Sequence, residues 1–333
     1  MKLGLALGYW GGQPPTDALE LAKLAEDLGY DSVWTAEAYG SDVFSPLCWI
    51  GAHTSRIKLG TGIVQMSART PVATAMTALT IDHLSNGRLV LGLGVSGPQV
   101  VEGWYGQPFP KPLARTREYV DIIRQVLRRE KPVTNAGEHY PLPYPGGTGL
   151  GKPLRSIVHP LRADIPIILA AEGQRNVSLA VDIADGWMPI FYSPYRNDVY
   201  EHSLGGMKPG FEVPCVAPVM VGDDVAELLM MVKWFLALYI GGMGAKDKNF
   251  HFDVIGRMGF ADEAKHVQDL YLANDRAGAA AAVPDEFADE ISLVGPPERI
   301  KERLEAWRAS PVTSLLLGTR DRNALKLLAD VMS

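Results

Sequence analysis

The chain opens on an apolar run at residues 3–9 and then alternates short apolar runs with stretches of helical period. After Pro14-Pro15, the residues Leu21, Leu24, Ala25 and Leu28 follow the i, i+3, i+4, i+7 spacing of one buried helix face. Thr16 is placed to cap that helix, Asp17 to meet its positive end, and Gly29 to stop it. The same unit then repeats. Apolar runs at 31–35, 57–64, 88–94, 165–171, 186–190, 212–221 and 312–317 bring the number of predicted strands to eight. Between them, residues 44–53, 71–84, 114–129, 174–184, 223–240 and 296–308 read as helices.

The alternation breaks in two places. Residues 131–166 hold seven prolines and five glycines with no sustained period, which predicts an ordered insertion over about 131–164. Residues 241–290 form a second insertion, mostly helical and alanine-rich near 277–282. Eight βα units in one chain predict an α/β protein, a (β/α)8 TIM barrel of one domain with insertions. An open doubly wound sheet would carry a glycine fingerprint in its first βα turn, and Gly8-Tyr9-Trp10-Gly11-Gly12 has the wrong spacing for it.

Composition narrows the function. The 333 residues are 47% hydrophobic and 21% charged, the mix of an ordinary globular protein. A net charge of −6 argues against a nucleic-acid binder. Cys48 and Cys215 stand far apart, show no metal-ligand spacing and suit a reducing cytoplasm. The first residues are too short a run for a secretory signal. The apolar stretch 228–240 is shorter than a membrane span and carries Lys233, so it reads as a helix buried inside the protein or against a second subunit.

A barrel of this kind places its chemistry at the carboxyl ends of the strands. No His-x-His pair stands there for a metal, and the acids at strand ends are Glu37 and Glu172 alone. No Gly-x-Ser-x-Gly elbow occurs either. The strand ends offer small residues, aromatics and backbone, which suits a flat cofactor that brings its own hydride chemistry.

Several stretches resemble the luciferase-like family. They are Leu59-Gly60-Thr61-Gly62-Ile63, then Arg69-Thr70-Pro71, then the run from Asp82-His83-Leu84-Ser85-Asn86-Gly87-Arg88 to Gly94. Tyr105-Gly106, Arg117-Glu118-Tyr119, residues 165–171 and Ala184-Asp185-Gly186-Trp187 continue the likeness over most of the chain. Members of that family include bacterial luciferase, FMN-dependent monooxygenases and oxidoreductases that use the deazaflavin coenzyme F420. The resemblance implies a TIM barrel with insertions, a homodimer, and a cis peptide at Gly62–Ile63 behind the deazaflavin ring, where an ordinary strand-end turn is the plainer alternative. It also implies that Ala171, Glu172, Gly173, Gln174 and Arg175 receive the cofactor's phosphate, and that Val95, Ser96 and Gly97 line the same cofactor. By itself the 171–175 stretch is equally an ordinary βα turn.

The chain departs from the family's deazaflavin-dependent dehydrogenases in two places. Thr35-Ala36-Glu37-Ala38-Tyr39 lacks their Asp-His, and Gly97-Pro98 stands near the place of their second acid. Glu37 then becomes the candidate catalytic acid, with Tyr39 and Tyr192 as candidate proton donors, or each is a hydrogen-bonding residue behind the site. Tyr9, Trp10, Trp104 and Tyr105 are candidate apolar walls of the substrate pocket. The sequence thus points to an F420-dependent oxidoreductase, with an FMN-dependent monooxygenase or a non-catalytic flavin- or deazaflavin-binding protein as alternatives. The expected partner is a small-molecule substrate, without nucleic acid, membrane span or metal.

Overall fold

The structure is a computed structural model that describes residues 1–244 and 249–332. Its strands are β1 (Lys2–Gly8), β2 (Ser32–Thr35), β3 (Lys58–Thr61), β4 (Val64–Gln65), β5 (Leu89–Gly94), β6 (Ile167–Ala170), β7 (Gly186–Met188), β8 (Pro214–Val221), β9 (Leu293–Gly295) and β10 (Ser314–Gly318). All pair in parallel, in the order β7-β6-β5-β3-β2-β1-β10-β8-β9, with β4 also on β5. Trp187 N donates to Glu212 O at 2.9 Å and Glu212 N to Asp185 O at 3.0 Å, which joins β7 to the lead-in of β8 and brings the ends of the sheet together. The eight expected strands are present as a curled barrel sheet.

Two strands differ from the sequence pattern. The third divides at Gly62–Ile63, whose peptide bond is cis. Across that break the Thr61 hydroxyl donates to Gly92 O at 2.9 Å and accepts from Gly92 N at 2.8 Å. A side chain thus satisfies the β5 groups that the interrupted ladder leaves, as buried backbone requires. β9 was not legible, because three residues between a helix and Pro296 carry no period. It extends β8, whose first half pairs with β10 and whose last three residues pair with β9.

The helices largely follow the apolar period. Pro71–Leu84 begins on Thr70, whose hydroxyl accepts from Ala73 N, with Pro71 in the first turn. Ala18–Asp27 is capped otherwise than expected. Its N-cap is Asp17 without a side-chain cap bond, and Asp17 instead pairs with Arg320. Helices Pro98–Gly103, Asp198–Leu204 and Arg322–Met332 are additional to the sequence reading. Residues 131–166 carry no helix and only the isolated bridge Asn135–Leu142. Asp82, a buried residue of helix Pro71–Leu84, pins this insertion through Arg162 at 2.7 Å. Arg88 gathers the carbonyls of Gly51, Ile57 and Ser85. The Asp82–Arg88 motif is therefore a clamp at the strand starts, away from the chemistry.

The second insertion is helical, as its composition implied, with Phe250–Ile255, Ala261–Leu272, Arg276–Ala282 and Asp285–Glu290. It covers one side of the apolar helix Val225–Gly241, where Lys233 pairs with Asp285 at 2.7 Å. Trp234 and Met230 on that helix stay exposed.

Inside the barrel, Trp34, Ile168, Met188 and Leu316 pack as a separate buried cluster, with Ala6, Ile63, Val90 and Ala170 against it. Gly60 makes this possible: a Cβ there would stand 2.2 Å from the Trp34 ring. The indole nitrogen of Trp34 donates to Ser32 Oγ at 2.9 Å, so its buried polar atom is satisfied. This plug forms the floor of what lies above.

Candidate active site

Above the plug, at the carboxyl ends of the strands, opens a cavity of about 1720 Å³. Single-ligand pockets usually hold about 300–1,000 Å³, so there is room for two molecules side by side. Its floor is Trp34, Gly62, Ile63, Ala170, Met188 and Leu316, an apolar shelf at the cis bond. Gly94 lets that shelf form, since a Cβ there would lie 2.7 Å from Ile63 Cδ1. Two non-glycine residues lining the cavity sit in the left-handed region, Ser96 at the end of β5 with φ 59° and Phe191 beyond β7 with φ 53°. Strain of this kind persists where the surroundings enforce it, and it gathers at functional sites.

Opposite β1, the loop after β6 leads into helix Gln174–Ile183. Gly173 is its N-cap in extended conformation, and a Cβ there would meet nothing within 4 Å. Asn176 N already donates to Gly173 O at 2.8 Å, which leaves the Gln174 and Arg175 amides at the helix start as a place for an anion. Arg175 lines the cavity beside them and pairs with no protein group among the described residues. Glu172 faces the cavity as well, bound at 2.5 Å to His251 Nδ1. Arg257 donates to the Glu172 carbonyl at 2.7 Å. His251 and Arg257 belong to the second insertion, which therefore closes over this loop. Phe191 and Tyr239 pack edge-on against the His251 ring, and Phe235 packs on both of them. Burial pushes the Tyr239 hydroxyl well above its ordinary range, so it remains neutral in its 3.2 Å hydrogen bond with Tyr9.

Of the residues singled out by sequence, the cavity brings together Tyr9, Tyr39, Gly62, Ile63, Trp104, Val95, Ser96, Gly97 and the whole stretch 171–175. Four others lie elsewhere. Glu37 is buried off the cavity, where its carboxylate takes Arg69 Nη1 at 2.8 Å, Gln65 N at 2.7 Å and Val43 N at 3.2 Å. Those bonds occupy both oxygens and leave Glu37 an anchoring residue in place of the catalytic acid expected of it. Tyr192 is fully buried among Trp187, Tyr200 and Trp307, and its hydroxyl donates to Asn197. It is a core residue, with no path to a substrate. Trp10 and Tyr105 also stay outside the cavity, Tyr105 donating weakly to Ala38 O at 3.4 Å. Sequence reasoning missed Met188 on β7, Phe191 after it, Phe235 on helix Val225–Gly241, and His251 and Arg257, the last two reaching the site only because the second insertion folds back onto the loop after β6. A single histidine in a helical stretch gives no signal of that.

The family model for luciferase-like monooxygenases matches residues 4–314. The chain belongs to the luciferase-like monooxygenase family. It is 53% identical, over 99% of its length and 98% of the relative's, to a Mycobacterium tuberculosis protein provisionally named a coenzyme F420-dependent oxidoreductase. It is 29% identical to the 5,10-methylenetetrahydromethanopterin reductase of Archaeoglobus fulgidus, over 89% of this chain and 87% of that one. Among solved structures, the coenzyme F420-dependent tetrahydromethanopterin reductase of Methanopyrus kandleri superposes with a TM-score of 0.78 at 24% identity, covering 98% and 97% of the two chains. An F420-dependent secondary alcohol dehydrogenase, in complex with an F420-acetone adduct, gives 0.77 at 18% identity, covering 99% and 98%. The last two likenesses establish the barrel fold.

Proposed function

We propose that the protein is a coenzyme F420-dependent oxidoreductase that transfers hydride between the deazaflavin C5 and an organic substrate. The observation that carries this reading is the pairing of Arg175, unpartnered among the described residues and beside an open helix start, with an apolar shelf across the barrel. A phosphate on the first and a flat ring on the second would account for both. When bound, the deazaflavin supplies the hydride-carrying carbon. Gly62, Ile63, Val95, Ser96 and Gly97 would hold the ring, and residues 171–175 the phosphate and the start of the tail. Phe191, Phe235 and Val232 shield the interior from water, which strengthens every polar contact made there. Tyr9 and Tyr39 carry the hydroxyls that face the substrate side, and His251, oriented by Glu172, is a further group able to hold a proton.

The names of the relatives support F420 as the cofactor; an FMN-dependent monooxygenase of the same family is the alternative. Purification from a host that makes both cofactors tests the choice. The protein is expected to carry the deazaflavin spectrum. Copurified FMN would overturn the reading, and a bound deazaflavin that no donor can reduce and no acceptor can reoxidise would make it a binding protein without turnover.

We also propose a homodimer in the cytoplasm. Trp234 and Met230, exposed on the helix Val225–Gly241, and the free thiols of Cys48 and Cys215 support this. No described helix is long and apolar enough to cross a membrane. Light scattering at micromolar concentration is expected to give twice the chain mass of 36.2 kDa, and a monomer mass would count directly against the dimer.

A further inference from the structure

We infer that the outer half of the cavity is a subsite for a large, uncharged, apolar substrate bearing one hydrogen-bonding group. Tyr9, Tyr39, Trp104, Met231, Phe235 and Met243 line it. They come from separate places in the chain: the ends of β1 and β2, the turn after helix Pro98–Gly103, and the helix Val225–Gly241 with the turn that follows it. Trp104 is 65% exposed, Met231 57% and Tyr39 55%, although each borders the same opening. Large apolar side chains scattered singly over a surface need no explanation, but a converging set of them marks a binding site. The two methionines add adaptable, polarisable contacts to rigid aromatic faces.

Charge decides the class of ligand. Among the ionisable side chains lining the cavity, Glu172 is bound to His251, Arg257 donates to the Glu172 carbonyl, and Arg320 pairs with Asp17. Asp321 accepts from Asn323 N at 2.8 Å at the start of the last helix. Arg175 alone among them, within the described residues, has no protein partner, and it stands at the helix start taken above for the cofactor phosphate. The six outer-half side chains named above carry no charge, so among the described residues they offer a charged substrate no counter-charge, and burying an unpaired charge is costly. A neutral molecule meets no such penalty. The Tyr9 and Tyr39 hydroxyls can orient one carbonyl or hydroxyl on it. Tyr9 is already held by Tyr239, and among the described residues Tyr39 otherwise reaches only the Met243 sulfur at 3.9 Å.

The inference rests on the proposed reading only in that the cofactor takes the inner half of the same cavity. Its test is calorimetric titration with acetonaphthone, a neutral naphthyl ketone, and with naphthoate, an anion of similar size. Both are run with and without saturating coenzyme F420, whose own binding is titrated separately on the same samples. With F420 bound, acetonaphthone is expected to bind at least about tenfold more tightly than naphthoate. The double variant Trp104→Ala/Phe235→Ala should weaken acetonaphthone about tenfold or more, in line with the loss of two aromatic contacts. Ile157→Ser, an exposed apolar residue on the first insertion, should change nothing. Equal or tighter naphthoate binding with F420 bound, or unchanged acetonaphthone affinity in the double variant, overturns the subsite. Intact acetonaphthone binding without F420 binding leaves the subsite standing and removes the cofactor reading instead.

Discussion

Arg69→Ala is expected to lower the free energy of unfolding by about 3–5 kcal/mol, the cost of stranding one member of a buried ion pair. The Glu37 side chain is only 3% exposed and meets Arg69 Nη1 through both oxygens, at 2.8 and 3.0 Å. Without the guanidinium, two backbone amides would remain to stabilise a carboxylate shut away from water. The pair also reaches the site. Glu37 holds Gln65 N, in the two-residue strand that follows the cis bond, and the Gln65 side-chain amide donates back to Glu37 O at 3.1 Å. The double variant Glu37→Gln/Arg69→Ala should lose less stability than Arg69→Ala alone, because a neutral amide tolerates burial better than an orphaned charge. Urea denaturation with an unchanged slope would measure both. A loss below about 1 kcal/mol for Arg69→Ala would match a surface pair and contradict the anchoring role.

Arg175→Ala should leave stability within about 0.5 kcal/mol of the parent, the usual range for a surface substitution, since Arg175 has no partner among the described residues. Cofactor affinity should nonetheless fall about 10- to 100-fold, since a charge-assisted hydrogen bond is worth about 1.5–3 kcal/mol. Arg175→Lys should recover part of the loss, as a point charge without the guanidinium fork. The two readouts separate a ligand-binding arginine from a structural one. A variant that melts early, or that binds the cofactor like the parent, would remove the phosphate from the Gln174–Ile183 helix start.

The barrel was legible in the sequence because its signals are local. Seven of the eight predicted strands are single apolar runs ending near a glycine or a turn, and the structure returns them within a few residues. The third is different. Its apolar run is continuous from Ile57 to Val64, so nothing in the period reveals the break at Gly62–Ile63, which only the family likeness implied. The 171–175 loop could be placed at the barrel mouth from its strand end, and its cofactor role came only from the family likeness.

Side-chain direction was not legible. Glu37 and Tyr39 stand two residues apart after the same strand, yet one turns into the Arg69 pair and the other lines the cavity. The choice is made by Arg69, more than thirty positions along the chain. Tyr192 similarly follows Phe191 directly but packs into the core, while the left-handed conformation of Phe191 accompanies its own position on the cavity wall. His251 and Arg257 required knowledge of a fold-back across roughly eighty residues, from the second insertion to Glu172. Period and spacing carry no information at that range.

The central claim is that this cavity is built for a deazaflavin. Its most direct test is a side-by-side equilibrium titration of the cofactor-free protein with coenzyme F420 and with FMN, at one pH and one ionic strength. The account predicts saturable F420 binding at least about tenfold tighter than FMN, one factor of ten being about 1.4 kcal/mol. FMN affinity equal to or better than that for F420 would contradict it.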